Sequence, residues 1–521
     1  LSLFGLYRMV PSEKKKVTFK TITSPFTGSS STINLIKDFI PRFTEMYNLE
    51  LGPEQNKIRE GFEFLNEEQP YDVNLYSTMH LFQDYKPFPM LKSGPGLNLE
   101  TDLEKAKLRK AAKSKLSSIY AKGERINSAD KHTIRNLQRQ IRSLETPTLS
   151  SSGKAAFAAS QLVENPLLLE NFTFLANATN QETIVTRLIE TSKAIIKPIG
   201  GNFLGKLSLK DEPTKVRVFA MVDFWTQTLL EPVHKQIFGL LRRFGPCDGT
   251  LDQDRTVAWA ARHGISLKGN LKRFYSFDLT AATDRLPLII QQDLLTNLYR
   301  KVCPNFGDHW GSLLVNRSYS TPYISDSSSY IYSDEEPYPL FVKYAVGQPM
   351  GALTSWGMLA ITHHLIVNLA FEQVYGKTSK SPTQRFYAIL GDDIIIWDSA
   401  VAHCYSELMK GLGVSLNQSK SLLSDNSSFE FAKRFIYKAD NVDIVSFKEL
   451  LTGQASLPAA FENYKFAIRR GITLVNFLRY RGFGFKSLAK LSGTYNNMSH
   501  RLKVCLILMK SPLLQTPLAE T

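Results

Sequence analysis

Phe386-Tyr387-Ala388-Ile389-Leu390-Gly391-Asp392-Asp393-Ile394-Ile395-Ile396-Trp397 sets two short apolar runs on either side of a glycine and two adjacent aspartates. β-Branched and aromatic residues flanking a Gly-Asp pair are a strong short-range signal for a β-hairpin. Gly391 supplies the turn conformation that a side chain resists, so both carboxylates are expected at the hairpin tip. Adjacent carboxylates repel each other and lose hydration there, and a nearby cation is what keeps both ionised. A divalent metal, magnesium first among them, fits that need, and metal at such a tip points to phosphoryl chemistry.

A further carboxylate comes from upstream. Phe274-Tyr275-Ser276-Phe277 reads as a buried strand that ends in Asp278, followed by Leu279-Thr280-Ala281-Ala282-Thr283-Asp284 and an apolar segment from Leu286. A strand that delivers a carboxylate beside a hairpin tip carrying others makes a platform for two cations roughly 3.5–4 Å apart. Asp284 lies too far along the chain to share that coordination sphere. It is expected on the turn into the next helix, where it either complements the helix dipole or accepts a hydrogen bond from a ribose 2′-hydroxyl.

Between these carboxylates, Gly347-Gln348-Pro349-Met350-Gly351-Ala352-Leu353-Thr354-Ser355 is a glycine-punctuated loop leading into an expected buried helix, Trp356 to Phe371. Its two glycines allow backbone to approach a ligand, and Thr354 or Ser355 can cap the helix while presenting a hydroxyl. Further upstream, Lys210-Asp211-Glu212-Pro213-Thr214-Lys215-Val216-Arg217-Val218-Phe219 reads as extended, with Lys215 and Arg217 on one face. A point charge and a bidentate fork so spaced can grip a triphosphate.

These segments, in this order, closely resemble the viral RNA-dependent RNA polymerases and, among them, the mitoviruses. The resemblance runs through Lys210 to Arg217 with its Phe219-Ala220-Met221-Val222-Asp223 continuation (motif F), Asp278 to Pro287 (motif A), Gly347 to Trp356 with His363-His364 (motif B) and Ala388 to Asp393 (motif C). It continues in Ser415 to Ser421 (motif D) and Phe429 to Arg434 (motif E), while Ile22 to Gly28 and Lys92 to Gly96 also look like mitovirus segments. Two departures are mild: Thr354 stands where Ser is expected, and the chain starts with Leu1, which points to a fragment or a conceptual translation.

The resemblance implies an α+β right-hand polymerase with fingers, a palm built on a small antiparallel sheet flanked by helices, and a helical thumb. The expected division is 1–200 for the N-terminal region and fingers, 201–268 for fingers with motif F, 269–300 for the motif A palm, 301–340 for a fingers insertion, 341–440 for the remaining palm and 441–521 for the thumb. Asp278 and Asp392 would be the principal metal ligands, with Asp393 adjacent and less essential, and the metal would be Mg²⁺ or, alternatively, Mn²⁺. Lys210, Lys215 and Arg217 would hold the triphosphate and Asp284 would select the ribose. Gly347, Gln348, Gly351, Thr354 and Ser355 would touch template and sugar, and Lys420 would be the general acid for pyrophosphate. His363 and His364, without a third matching ligand, are expected to be packed or hydrogen-bonded rather than to bind zinc.

The implied partners are an RNA template and product and nucleoside triphosphates, in a host mitochondrion. Composition agrees: 63 Lys and Arg against 48 Asp and Glu give a formal charge of +15, which favours a polyanionic partner and requires the acidic site to sit within basic surroundings. Cys247, Cys303, Cys404 and Cys505 form no CxxC pair, so neither a zinc ribbon nor a disulfide scaffold is expected. No apolar run reaches the ~18–20 residues of a membrane span. A reverse transcriptase shares paired aspartates at a hairpin tip but favours a bulky gate residue over Asp284; a catalytically silent relative would bind RNA without incorporating nucleotides.

Elsewhere, Leu103 to Leu144 reads as a basic helical hairpin, Thr146 to Ser152 as a linker, Ser318 to Pro337 as a surface insertion, and Leu457 to Ser499 as part of a helical thumb.

Overall fold

The computed structural model describes residues 15–51 and most of 151–441, apart from 194–203, 213–214, 265–272, 323–329, 335–336, 340, 378–385, 418–420 and 439, with isolated positions within 111–137 and 463–476. The chain divides into two compact units, one formed by Glu13–Ala432 and the other by Leu1–Ser12 with Lys433–Thr521.

The first unit opens with β1 (Lys15–Val17), the short helix α1 (Lys20–Thr23) and α2 (Ser30–Met46). Ser29 caps α2 by accepting a hydrogen bond from the Ser31 backbone, and Ile36, Phe39, Ile40 and Phe43 make its buried stripe. Helices α3 (Ser151–Val163), α4 (Pro166–Ala178) and α5 (Glu182–Ser192) follow. Ser151 and Ser152, read as the end of a linker, already belong to α3. Asn165 caps α4 ahead of Pro166 at the first helical position, where a missing N–H costs nothing.

Strands β2 (Gly205–Asp211) and β3 (Val216–Met221) pair antiparallel, so the segment read as simply extended is a hairpin with Lys210 opposite Arg217. Helix α6 (Phe224–Leu241) starts at Asp223, whose carboxylate accepts from the Thr226 backbone at 2.9 Å. Then come α7 (Gln253–Gly264), β4 (Phe274–Asp278), α8 (Ala282–Arg285), α9 (Leu288–Leu298) and α10 (Phe306–Val315). Three short strands follow, β5 (Tyr319–Ser320), β6 (Tyr330–Tyr332) and β7 (Phe341–Val342). Within Ser318 to Pro337, the stretch read as a surface insertion, β5 runs parallel to β2 and β6 runs parallel to β1; Tyr319 is buried and Ile331 is exposed. Backbone donors and acceptors that enter the interior need partners, and two sheet edges provide them.

Helix α11 (Ser355–Tyr375) is buried along almost its whole length and ends at Gly376. It is one turn longer than the apolar stretch suggests. The chain continues through β8 (Tyr387–Leu390), β9 (Asp393–Ile396), α12 (Ser399–Gly411), β10 (Leu422–Ser424) and β11 (Phe429–Phe431). The sheet that carries Asp278 and Asp393 has the order β10-β4-β9-β8, all antiparallel, with helices packed against it. This is the expected α+β arrangement, a small antiparallel sheet flanked by helices.

In the second unit, β12 (Arg434–Tyr437) and β13 (Asp440–Asn441) form an antiparallel pair. The thumb expected over 441–521 and the basic hairpin expected at Leu103 to Leu144 lie outside the described residues, apart from isolated helical positions. Among the described residues Cys247, Cys303 and Cys404 are in no disulfide, and no helix is long and apolar enough to cross a membrane.

Candidate active site

The hairpin forms where the sequence places it, with one change of detail. Gly391 and Asp392 alone make the turn, while Asp393 is the first residue of β9 and pairs with Leu390. Gly391 has φ +61°, and a Cβ there would come within 2.3 Å of the Trp356 ring. Glycine at the first central position of a two-residue hairpin turn is the type II′ pattern, whose twist matches that of the strands.

Long-range pairing supplies the rest. In the β4–β9 register Asp278 stands directly opposite Asp393, so the strand end and the hairpin tip meet at one edge of the sheet. Burial raises the pKa of Asp392 and the charge of Asp278 adds to the rise, while Arg217 and Lys215 pull it back down. Both hairpin cations thus oppose the effect of burial on Asp392. Arg217 also pairs with Glu212 at 3.2 Å, and Lys210, Lys215 and Arg217 are all exposed.

Three acidic oxygen donors of this kind suit a hard divalent cation. Two carboxylates about 5 Å apart repel by about 3 kcal/mol at the effective dielectric of a partly buried site, a cost that a shared cation reverses. Among the described residues no three carboxylate, imidazole or thiol groups already stand in ligating positions. What the register does show is Asp278 and Asp393 paired across β4 and β9 next to Asp392, acidic oxygens of the type a hard divalent cation takes.

Backbone strain steers the next carboxylate. Ala281 adopts φ +51°, a left-handed conformation unfavourable for a residue with a Cβ, and turns the chain from β4 into α8. Asp284 follows in α8, 6% exposed. Its Oδ2 accepts from the Thr21 hydroxyl at 2.8 Å. The Tyr344 hydroxyl is close enough to favour the ionised form, yet neither that oxygen nor Asp284 Oδ1 completes a hydrogen bond. Burial pushes the Asp284 carboxyl up to about 6, against the opposing effects of Thr21, Tyr344 and the Arg285 charge.

The motif B loop braces the backbone that carries this carboxylate. Gly347 and Gln348 donate their backbone N–H groups to the carbonyls of Asp284 and Thr283 at 3.0 and 3.1 Å, and a Cβ on Gly347 would lie 2.2 Å from the Thr283 carbonyl oxygen. The close approach read from glycine is thus to protein backbone. Gly351 likewise donates to the Ala220 carbonyl at 2.7 Å. Gln348, Thr354 and Ser355 are buried. Gln348 Nε2 donates to Gln291 Oε1, and the Thr354 hydroxyl accepts from Trp310 Nε1 at 2.9 Å instead of capping α11.

His363 and His364 are packed and hydrogen-bonded, as expected. His363 Nδ1 donates to the Gly391 carbonyl at 2.8 Å, so its Nε2 accepts from the Tyr405 hydroxyl at 2.6 Å. Burial lowers the His363 pKa to about 4, which keeps it neutral and keeps α11 tied to the aspartate turn. His364 Nε2 donates to Asp248 at 3.0 Å while its ring stacks on Phe244. Sequence spacing singled out both histidines but carried no sign of Gly391 as a partner.

Motif D lies alongside motif A: the Asn417 N–H donates to the Asp278 carbonyl at 2.8 Å, and Thr280 N–H to the Ser415 carbonyl at 2.9 Å. Lys420 lies outside the described residues. Two further groups had no signal in the sequence. Thr21 acts across 263 positions of chain. Arg317, fully buried, binds Asp223 at the head of the helix that follows the motif F hairpin.

A family model described as Mitovirus RNA-dependent RNA polymerase matches residues 146–503, more than half of the chain. The chain is 40% identical over 244 residues to the RNA-directed RNA polymerase of Cryphonectria parasitica mitovirus 1, covering 46% of this chain and 26% of that relative. It therefore spans about a quarter of the length of that polymerase. An uncharacterized mitochondrial protein of Arabidopsis thaliana is 32% identical over 257 residues, covering 49% of this chain and 92% of the relative. Among solved structures, the RNA-dependent RNA polymerase of a human picobirnavirus aligns over 58% of this chain and 61% of its own, with 14% identity and a TM-score of 0.38.

Proposed function

Because the chain belongs to the mitovirus RNA-dependent RNA polymerase family, we propose that it is an RNA-directed RNA polymerase, replicating a mitovirus-like RNA by two-metal nucleotidyl transfer from nucleoside triphosphates. The observation that carries this reading is the β4–β9 register that sets Asp278 against Asp393 beside the Asp392 turn. Asp278, Asp392 and Asp393 would hold Mg²⁺ or Mn²⁺. When bound, such ions lower the pKa of an attacking 3′-hydroxyl and steady charge on the α-phosphate and departing pyrophosphate.

The chain's own residues do the remaining work. Lys215 and Arg217, with Lys210 across the hairpin, bring positive charge to the triphosphate and offset the charge of the acidic edge. His363 holds the carbonyl of Gly391 and so fixes the turn that aims Asp392. Asp284 offers the buried, unpartnered Oδ1 to a ribose 2′-hydroxyl. Lys420 serves as general acid toward pyrophosphate. RNA template and product are the macromolecular partners, and the Arabidopsis mitochondrial relatives support action in a mitochondrion.

Purified protein with Mg²⁺ or Mn²⁺ and an RNA template should incorporate ribonucleotides into complementary RNA. A chain that binds RNA but incorporates nothing would point to the silent relative instead. Sugar choice has its own pH signature. A pKa raised by folding means that stability is fullest while the Asp284 carboxyl is protonated and declines as pH rises through about 6, so the ionised form is strained until a donor reaches Oδ1. The ionised carboxylate is also the stronger acceptor. The preference for ribonucleotides over deoxyribonucleotides should therefore grow as pH rises through about 6, and Asp284→Asn should narrow that preference and flatten its pH profile. An unchanged ratio at every pH would remove Asp284 from the sugar site.

A further inference from the structure

The stretch Phe19 to Gly28 precedes the residues matched by the family model and has no role in the chemistry described above. It is nevertheless fastened onto motif A at several points. Thr21, half-buried in α1, donates its hydroxyl to Asp284 Oδ2 at 2.8 Å. Arg285, the next residue in the chain, donates its guanidinium to the carbonyls of Ser24 at 2.7 Å and Pro25 at 2.9 Å. The Ala345 N–H donates to the Ile22 carbonyl at 3.0 Å, which joins the same stretch to the loop carrying Tyr344 and Gly347. Ile22 is fully buried, and Phe19 packs its ring on Tyr332 and Tyr338. At the far end the Ser29 N–H donates to the Gly411 carbonyl at 2.6 Å.

A carboxylate with neither oxygen anchored rotates broadly about its terminal torsion. Here one oxygen is anchored and the other, Oδ1, is buried without a partner. An acceptor left in that state is costly unless a ligand supplies the donor. The groups that face Asp284 are the Thr21 and Tyr344 hydroxyls and the neighbouring charge of Arg285. Of these, only Thr21 completes a hydrogen bond to it.

We propose that Thr21 is a positioning residue for sugar specificity: by holding Oδ2 of Asp284 it aims Oδ1 at the 2′-hydroxyl of an incoming ribonucleotide. The N-terminal segment thereby becomes part of the nucleotide-selecting site. This assignment rests on the reading of Asp284 as the group that meets the ribose.

The test compares kcat/KM for a ribonucleoside triphosphate and its 2′-deoxy counterpart in the wild-type chain, Thr21→Val and Thr21→Ser, with melting temperature recorded for each. Thr21→Val keeps the shape and removes the donor, and should lower the ribo-to-deoxy ratio about tenfold, chiefly through slower ribonucleotide turnover. Thr21→Ser should restore the ratio. If Thr21→Val does not fold, Thr21→Cys keeps the shape with a weaker donor, and its ratio must also fall. A hydroxyl that only braces the fold would lower both sugars equally and leave the ratio untouched, which overturns the assignment. A wild-type chain that incorporates neither sugar overturns the polymerase reading itself, whereas a selective wild type with unchanged ratios in the variants overturns the role of Thr21 alone.

Discussion

Asp392→Asn is expected to cut ribonucleotide incorporation by roughly a thousandfold or more, since it removes several kcal/mol of charge stabilisation from the reacting phosphate. The substitution keeps the size and shape of the side chain, so the loss cannot be ascribed to packing. Its effect on stability should have the opposite sign. Asp392 sits beside Asp278 in a partly desolvated position, where its own charge is disfavoured first by burial and then by that neighbour. Without divalent cations, Asp392→Asn should therefore melt no lower than the wild type. Addition of Mg²⁺ or Mn²⁺ should raise the melting temperature of the wild type and raise that of the variant less. Retention of full incorporation by Asp392→Asn would remove this aspartate from the reaction, and identical cation-induced shifts would remove it from the metal site.

The second large effect concerns an ion pair remote from the aspartates. Arg317 and Asp223 have no solvent exposure, and their charges meet at 2.5 Å. Arg317 also donates Nε to the Leu313 carbonyl at 2.8 Å and Nη2 to the Thr226 hydroxyl at 3.0 Å, so its loss orphans several groups together. Breaking a buried pair from one side leaves an uncompensated charge, and Arg317→Met should cost about 3–5 kcal/mol in urea unfolding. Combining it with Asp223→Asn should recover part of the loss, because the amide still caps α6 and carries no charge. A single-variant cost below about 1 kcal/mol would show that the pair contributes little to holding this helix. Because α6 follows directly from the β2–β3 hairpin, the weakened variant should also bind nucleoside triphosphates less well.

Elements built from neighbouring residues are legible in the sequence. The β8–β9 hairpin, the strand ending in Asp278 and the buried helix after Ser355 each depend on residues within a few positions of one another, so periodicity and turn chemistry suffice. The two histidines follow the same logic: a pair on an apolar helix without a third ligand favours packing and hydrogen bonding over zinc, and both rings are buried and hydrogen-bonded. Partners far away in sequence leave no local trace. Ser318 to Pro337, rich in Ser and Tyr, has the composition of an exposed loop, yet two distant strands draw β5 and β6 into sheets. The glycines of the motif B loop signalled close backbone approach correctly, but local sequence carries no information about what is approached, and Gly347 meets the backbone of Thr283 and Asp284.

The chemistry available to this protein is legible along the chain: which carboxylates sit at strand ends and turns, which cations alternate along an extended segment, and which helix must be buried. Which of those groups meet depends on the fold. The alignment of Asp278 with Asp393, the anchoring of Asp284 by Thr21 and the burial of Arg317 against Asp223 all join residues separated by long stretches of chain. Such pairings are selected by the packing of the whole unit, because a polar or charged group taken from water needs a complement and the nearest complement in space need not be near in sequence.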